Sequence, residues 1–157
     1  MLRLIHLIAI FICWTAPAAT AACLSYTDRV TLTGKLVIRT FPGPPNYQDV
    51  LRGDDPEVHW LVLLDRPQCV DTHPDPKRSS TMAGYDSFDS VDLVFGCCDA
   101  GFELTREQLN RYRPLAGKRV TVSGTLYDAF TAHHRAPLLL QNVEFLTQPG
   151  GSARRPR

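Results

Sequence analysis

From Val30 to Thr40 the side chains alternate with a period of two. Val30, Leu32, Gly34, Leu36 and Ile38 fall on one face, and Thr31, Thr33, Lys35 and Arg39 on the other. This is the pattern of a half-buried β-strand, because successive side chains of extended backbone point to opposite sides of a sheet. Pro42, Pro44 and Pro45, three prolines within four positions, stop the run, since proline has no N–H to give to a ladder. A long loop through Gly53, Asp54, Asp55 and Pro56 follows. The next strand, Val58 to Leu64, is apolar on both faces and is expected to be central.

Pro67 ends that region, and Gln68-Cys69-Val70 reads as a short strand or its remnant. Asp71 to Ser80 is proline-rich and polar, the composition of a mobile insertion. Alternation returns from Ser90 to Phe95. One helix is signposted. Thr105 is an N-cap with Gln108 completing a capping box, and Leu104 and Leu109 are spaced for a hydrophobic staple. The pattern predicts a helix over Arg106 to Arg113, stopped by Pro114. A strand from Arg119 to Leu126, a polar turn from Asp128 to Ala136 and a last strand from Leu138 to Leu146 complete the chain.

Three strands, a helix and two strands is the order of a five-stranded OB-like barrel, with one short helix between strands three and four. Glycines at Gly34 and Gly124 suit strands that bend sharply in a small barrel. An immunoglobulin-like sandwich needs about seven strands and has no place for the helix.

The first residues bear on location. Arg3 and His6 flank an apolar run from Leu4 to Trp14, followed by the small residues of Ala16 to Ala22. A charged start, a short apolar stretch and an alanine-rich exit read as a secretory signal peptide over residues 1–22. The run is too short for a membrane span, which takes about 20 apolar residues. The expected organisation is a signal peptide, a single OB-like domain over 23–147, and a disordered basic tail over 148–157 carrying Arg154, Arg155 and Arg157. Removing residues 1–22 takes away one charged residue, Arg3, and leaves sixteen basic against sixteen acidic side chains. That balance offers no electrostatic footprint for nucleic acid or an anionic membrane.

Four cysteines remain after such processing: Cys23, Cys69, Cys97 and Cys98. In an exported chain they allow three disulfide pairings. We favour Cys23–Cys69, which ties the new N-terminus to the end of an early strand. Cys97 and Cys98 are then left as a strained vicinal bridge, as thiols or as a link to another chain. Cys23 also stands where a lipid-modified cysteine would. Lipoprotein signals prefer an apolar residue three positions earlier, however, and here that residue is Thr20.

Several blocks together resemble a family of exported bacterial proteins known only as a domain of unknown function. They are Cys23-Leu24-Ser25-Tyr26, Thr40 to Tyr47 (TFPGPPNY), Gly53-Asp54, Pro56-Glu57, Trp60, Pro67 to Val70, Gly117 to Leu126 (GKRVTVSGTL) and His133-His134. The resemblance runs from Cys23 to about Phe145, and the proline-rich block is its most specific part. It implies that Cys23 and Cys69 are the family's cysteine pair. Residues 71–101, with Cys97-Cys98, depart from it. The resemblance implies no activity.

In an OB-like barrel the unusual residues concentrate in two loops, Phe41 to Glu57 and Asp128 to Ala136, of the kind that rim the ligand face of that fold. Phe41, Asn46, Tyr47, Asp54, Glu57, His133 and His134 are the candidate ligand-binding residues. The rings offer stacking surface and the polar groups hydrogen bonds. Trp60, Tyr127 and Phe130 extend the candidate surface, although a core role suits Trp60 better. The alternative is a zinc or copper site on His133 and His134, with Asp128 nearby and His59 within reach. Against it, adjacent side chains on extended backbone point opposite ways. No nucleophile-elbow, zinc-protease or phosphate-loop motif is present. The sequence therefore predicts a non-catalytic binding module without a cofactor, whose partner is a small molecule, a glycan or an envelope protein.

Overall fold

A computed structural model describes residues 22–95 and 104–146. The chain forms β1 (Arg29–Pro42), β2 (Pro56–Val70), α1 (Pro76–Ser79), β3 (Tyr85–Val94), α2 (Arg106–Tyr112), β4 (Arg119–Asp128) and β5 (Leu138–Phe145). The five strands close into a ring in the order β1-β2-β3-β5-β4. Neighbours run antiparallel except β3 and β5, which are parallel.

The alternation of β1 does what it predicts: Val30, Leu32 and Leu36 are buried. With Val62, Val91, Val122, Leu126, Leu138 and Leu140 they fill the inside of the ring. Each such side chain contributes roughly 1.5–3 kcal/mol by leaving water. Ring closure depends on a bend at Gly34, the residue at which β1 changes partner. Before it β1 pairs with β4 alone and from it onward with β2, and Gly34 and Lys35 face both neighbours, Gly34 standing opposite Leu64 and Val120. A Cβ placed there would lie 2.1 Å from the Leu63 carbonyl oxygen. Only glycine lets the two strands approach so closely.

Helix α2 carries the full capping box, Thr105 accepting from the Gln108 N–H and Gln108 accepting from the Thr105 N–H. It ends at Tyr112, and Pro114 sits in a 3-10 turn over Arg113–Leu115 that buries Leu115. Tyr112 stacks 4.4 Å from Phe145, and Trp60 meets Phe95 edge to face at 5.7 Å. Trp60 is thus a core residue.

Three expectations are corrected. Strand β2 runs from Pro56 to Val70 without a break, absorbing Gln68-Cys69-Val70, because its register against β3 is bulged rather than ended. Val58, expected to be interior, is exposed. Residues 71–80 hold a second short helix, α1, capped by Asp75 accepting from the Lys77 N–H. Cys23 and Cys69 form a disulfide with Cα atoms 4.8 Å apart. Leu24 extends the bond into a two-point main-chain contact, donating to the Cys69 carbonyl and accepting from the Asp71 N–H. No helix among the described residues is long and apolar enough to cross a membrane. Residues 1–21, Cys97, Cys98 and the tail over 148–157 lie outside the described residues.

Candidate functional site

The candidate site lies on the outer face of β1, β2 and β3. On β2 Trp60 and Val62 join the core, so Glu57, His59 and Leu61 point outward. Register then does the assembling. Phe41 stands opposite Glu57 and Arg39 opposite His59. Leu61 stands opposite Asp92, which makes His59 and Asp92 diagonal neighbours across β2 and β3. His59 Nδ1–H donates to Asp92 Oδ2 at 2.7 Å, and its Nε2 lies 3.8 Å from Glu57 Oε2. The Phe41 ring meets the His59 ring edge to face at 5.6 Å.

The β1–β2 loop is built around one carboxylate. Asp54 accepts from the N–H groups of Asn46 (2.8 Å), Gln48 (2.7 Å) and Asp49 (2.8 Å). Those bonds, from Asp49 and Gln48 foremost, hold its carboxyl below the usual range. The loop also carries Tyr47 in left-handed backbone at φ 58°, a conformation that costs an aromatic residue free energy and persists only where its surroundings demand it. What this backbone does is aim the ring: the Tyr47 hydroxyl reaches His133 Nε2 at 3.0 Å.

The β4–β5 loop supplies the other half. His133 Nδ1 donates to Glu57 Oε1, so His133 spans Tyr47 and Glu57. Arg135 Nη2 donates to the Pro42 carbonyl (2.6 Å) and to Glu57 Oε2 (3.3 Å). Its guanidinium lies 5.1 Å from the Phe41 ring centre and 5.9 Å from that of Tyr47, within cation–π range. The Arg135 N–H donates to Asp92 Oδ2 at 3.3 Å. Glu57 is therefore the keystone, receiving one histidine and one arginine from a loop 76 and 78 residues away in sequence.

His133 and His134 engage different neighbours. The His134 ring rests 5.2 Å from Phe130, and burial, the largest influence, lowers its pKa. Its Nε2, like Arg135 Nε, is buried with no hydrogen-bond partner among the described residues. Among those residues no group of three or more His, Cys, Asp or Glu side chains is arranged to hold a metal ion. Asp128 turns away from the histidines, accepting from the Tyr85 hydroxyl (2.6 Å) and the Ala83 N–H (3.4 Å). The bond to Asp128, ahead of burial, pushes the Tyr85 pKa up to about 12.

Of the residues singled out by sequence, Phe41, Tyr47, Glu57 and His133 meet in one cluster. Asn46 and Asp54 bond each other and frame the loop from inside, and His134 stands at the margin beside Phe130. The rings of Phe41 and Tyr47 are already occupied by Arg135, so the open aromatic surface is Phe130, which is 68% exposed. Sequence reasoning missed Asp92 and Arg135. Asp92 left one usable signal, a lone acid between Val91 and Leu93 in a run that is otherwise apolar.

Residues 102–147 match a family model described as a domain of unknown function (DUF4431). That stretch takes in α2, β4, β5 and the loop bearing His133, His134 and Arg135, while the proline-rich block from Phe41 to Tyr47 lies outside it. No curated protein and no solved structure matches the chain.

Proposed function

We propose that this chain is an exported, non-catalytic binding module built on an OB-like barrel. Its site is the outer face of β2 and β3 where the β1–β2 and β4–β5 loops meet, and its ligand is a hydroxyl-rich molecule such as a glycan. One observation carries the reading: Tyr47, His133, Glu57 and Arg135 join two loops remote in sequence into a single polar cluster edged by aromatic rings. The strand order and the parallel β3–β5 pairing support the barrel assignment, and this face is where OB folds take oligosaccharides and oligonucleotides. A sugar fits better than an oligonucleotide, because the cluster sets two carboxylates, Glu57 and Asp92, where a phosphate backbone would lie. Carboxylates and imidazoles accept from and donate to hydroxyl groups, and Phe130 gives a sugar ring an apolar face to rest on. The disulfide supports an oxidising location. The only hydroxyl or thiol bonded to the imidazole of a cluster histidine, among the described residues, is the Tyr47 phenol, which supports a binding role over nucleophilic catalysis.

The test is a thermal-shift panel on the oxidised protein with soluble peptidoglycan fragments, neutral oligosaccharides, single-stranded oligonucleotides, and zinc or copper with a chelator control. A ligand at 100 times its Kd adds about 2.7 kcal/mol, roughly 10 °C for a domain of this size. The expected result is a rise with an oligosaccharide that disappears in Phe130→Ala and Tyr47→Ala proteins that still fold. A rise with zinc or copper alone, lost in His133→Ala and His134→Ala, overturns it in favour of a metal site.

A further inference from the structure

We propose a second binding site, independent of the loop cluster: the cleft where β1 parts from β2, which takes an extended, acid-bearing segment of another protein as an added β-strand. The β1–β2 ladder ends at Gly34 and Leu64, and from Arg29 to Thr33 β1 pairs with β4 alone. On the other wall the β2–β3 register stops at Leu63 and resumes at Gln68. Between the two walls lies a cavity of about 260 Å³ lined by residues that include Thr31, Thr33, Arg66, Gln68 and Arg119.

The direction of the backbone decides what that cavity offers. Leu36 donates to the Lys118 carbonyl (2.9 Å) and accepts from the Gly117 N–H (2.7 Å), so its main-chain groups face the β4 side. Main-chain groups of successive residues in a strand point to alternate sides. Thr31 and Thr33, at odd positions on the same strand, therefore aim their N–H and C=O groups into the cleft. Two such residues, two apart, are the repeat a strand needs to dock. The β2 wall is blunted instead: Pro67 has no N–H, and the Gln68 side-chain amide folds back onto the carbonyls of Arg66 (3.3 Å) and Pro67 (3.1 Å). A docking strand thus adds to β1.

Two observations point to the occupant. Just beyond Gln68 the chain lays its own N-terminal segment along β2, Leu24 forming a parallel bridge to Val70 and donating to the Cys69 carbonyl at 2.8 Å. Extended backbone is what this end of β2 already accepts. Among the residues lining the cavity, Arg66 and Arg119 stand against one acid, Asp65, which Arg119 already holds at 2.6 Å. This local positive excess in a nearly neutral chain favours acidic side chains at alternate positions of the added strand.

The test uses the full mature, oxidised protein, labelled for amide NMR and titrated with an N-acetylated, C-amidated hexapeptide alternating valine and glutamate. Saturable shifts and slowed hydrogen exchange at the Thr31 and Thr33 amides are expected. Arg66→Glu, checked for folding by its own amide spectrum, should weaken the peptide about tenfold or more. Shifts confined to the loop cluster, or none, overturn the proposal. So does equal binding of a peptide N-methylated at alternate residues, which keeps the charge but not the donors. Concentration-dependent protection of Thr31 and Thr33 without peptide overturns the acidic partner in favour of a second copy of the chain.

Discussion

Removing the Cys23–Cys69 disulfide is the perturbation whose size the structure sets most directly. The bond closes a loop with a sequence separation of 46. The loop-closure relation assigns such a cross-link about 4 kcal/mol, exerted chiefly by restricting the unfolded chain. The native contacts beside it need no sulfur bond: Leu24 still meets Cys69 and Asp71 through main-chain hydrogen bonds, and the Tyr26 hydroxyl still donates to the Ala83 carbonyl. The folded state is therefore expected to survive, weakened. With an unfolding entropy of about 2.1 cal/mol/K per residue over the predicted domain, 4 kcal/mol lowers Tm by about 15 °C. The assay is thermal unfolding of Cys23→Ala, Cys69→Ala and the double variant. Substitution is preferable to a reductant because it acts on this bond alone. Each single variant should lose the full amount and the double variant no more, since either change breaks the same bond. A loss below about 5 °C, or additive losses, would refute the loop-closure reasoning.

Other outcomes follow from the same geometry. Glu57→Gln and His133→Ala should couple in a double-mutant cycle by about 1 kcal/mol, modest because His133 is half exposed; a coupling near zero in denaturant unfolding removes Glu57 as the keystone between the loops. Gly34→Ala forces backbone apart at the β1 crossing and should cost about 3 kcal/mol or more, read as a lower denaturant midpoint; a near-neutral result contradicts the need for glycine there. The lowered His134 pKa means that unfolding takes up a proton below about pH 6.5. Its contribution is fully present above that pH and is lost as pH falls toward the folded-state value. His134→Gln should therefore flatten the stability profile below about pH 6.5, and an unchanged slope assigns that acid sensitivity to other groups.

The alternation from Val30 to Thr40 and the capping box at Thr105 and Gln108 were legible because each is local, whereas Cys23–Cys69 was the favoured one of three pairings that the cysteine count left open. Period-two burial needs only one strand, and a cap needs only four residues. On those grounds the sequence by itself determined a small, mainly β domain with a helix after its third strand, and it favoured a disulfide at Cys23. It could not determine which polar side chains meet. His59 and Asp92 are diagonal neighbours only because the β2–β3 register sets Leu61 against Asp92, and a slip of one strand by one residue would turn one of them to the other face. Arg135 reads as an ordinary loop cation until the β4–β5 loop folds over the outer face and brings it to Glu57, Phe41 and the Pro42 carbonyl. The same holds for the cleft beside Thr31 and Thr33, which exists because β1 changes partner at Gly34. Side-chain chemistry is written in the chain, but distance between remote side chains is set by register and closure, and only the tertiary structure decided those.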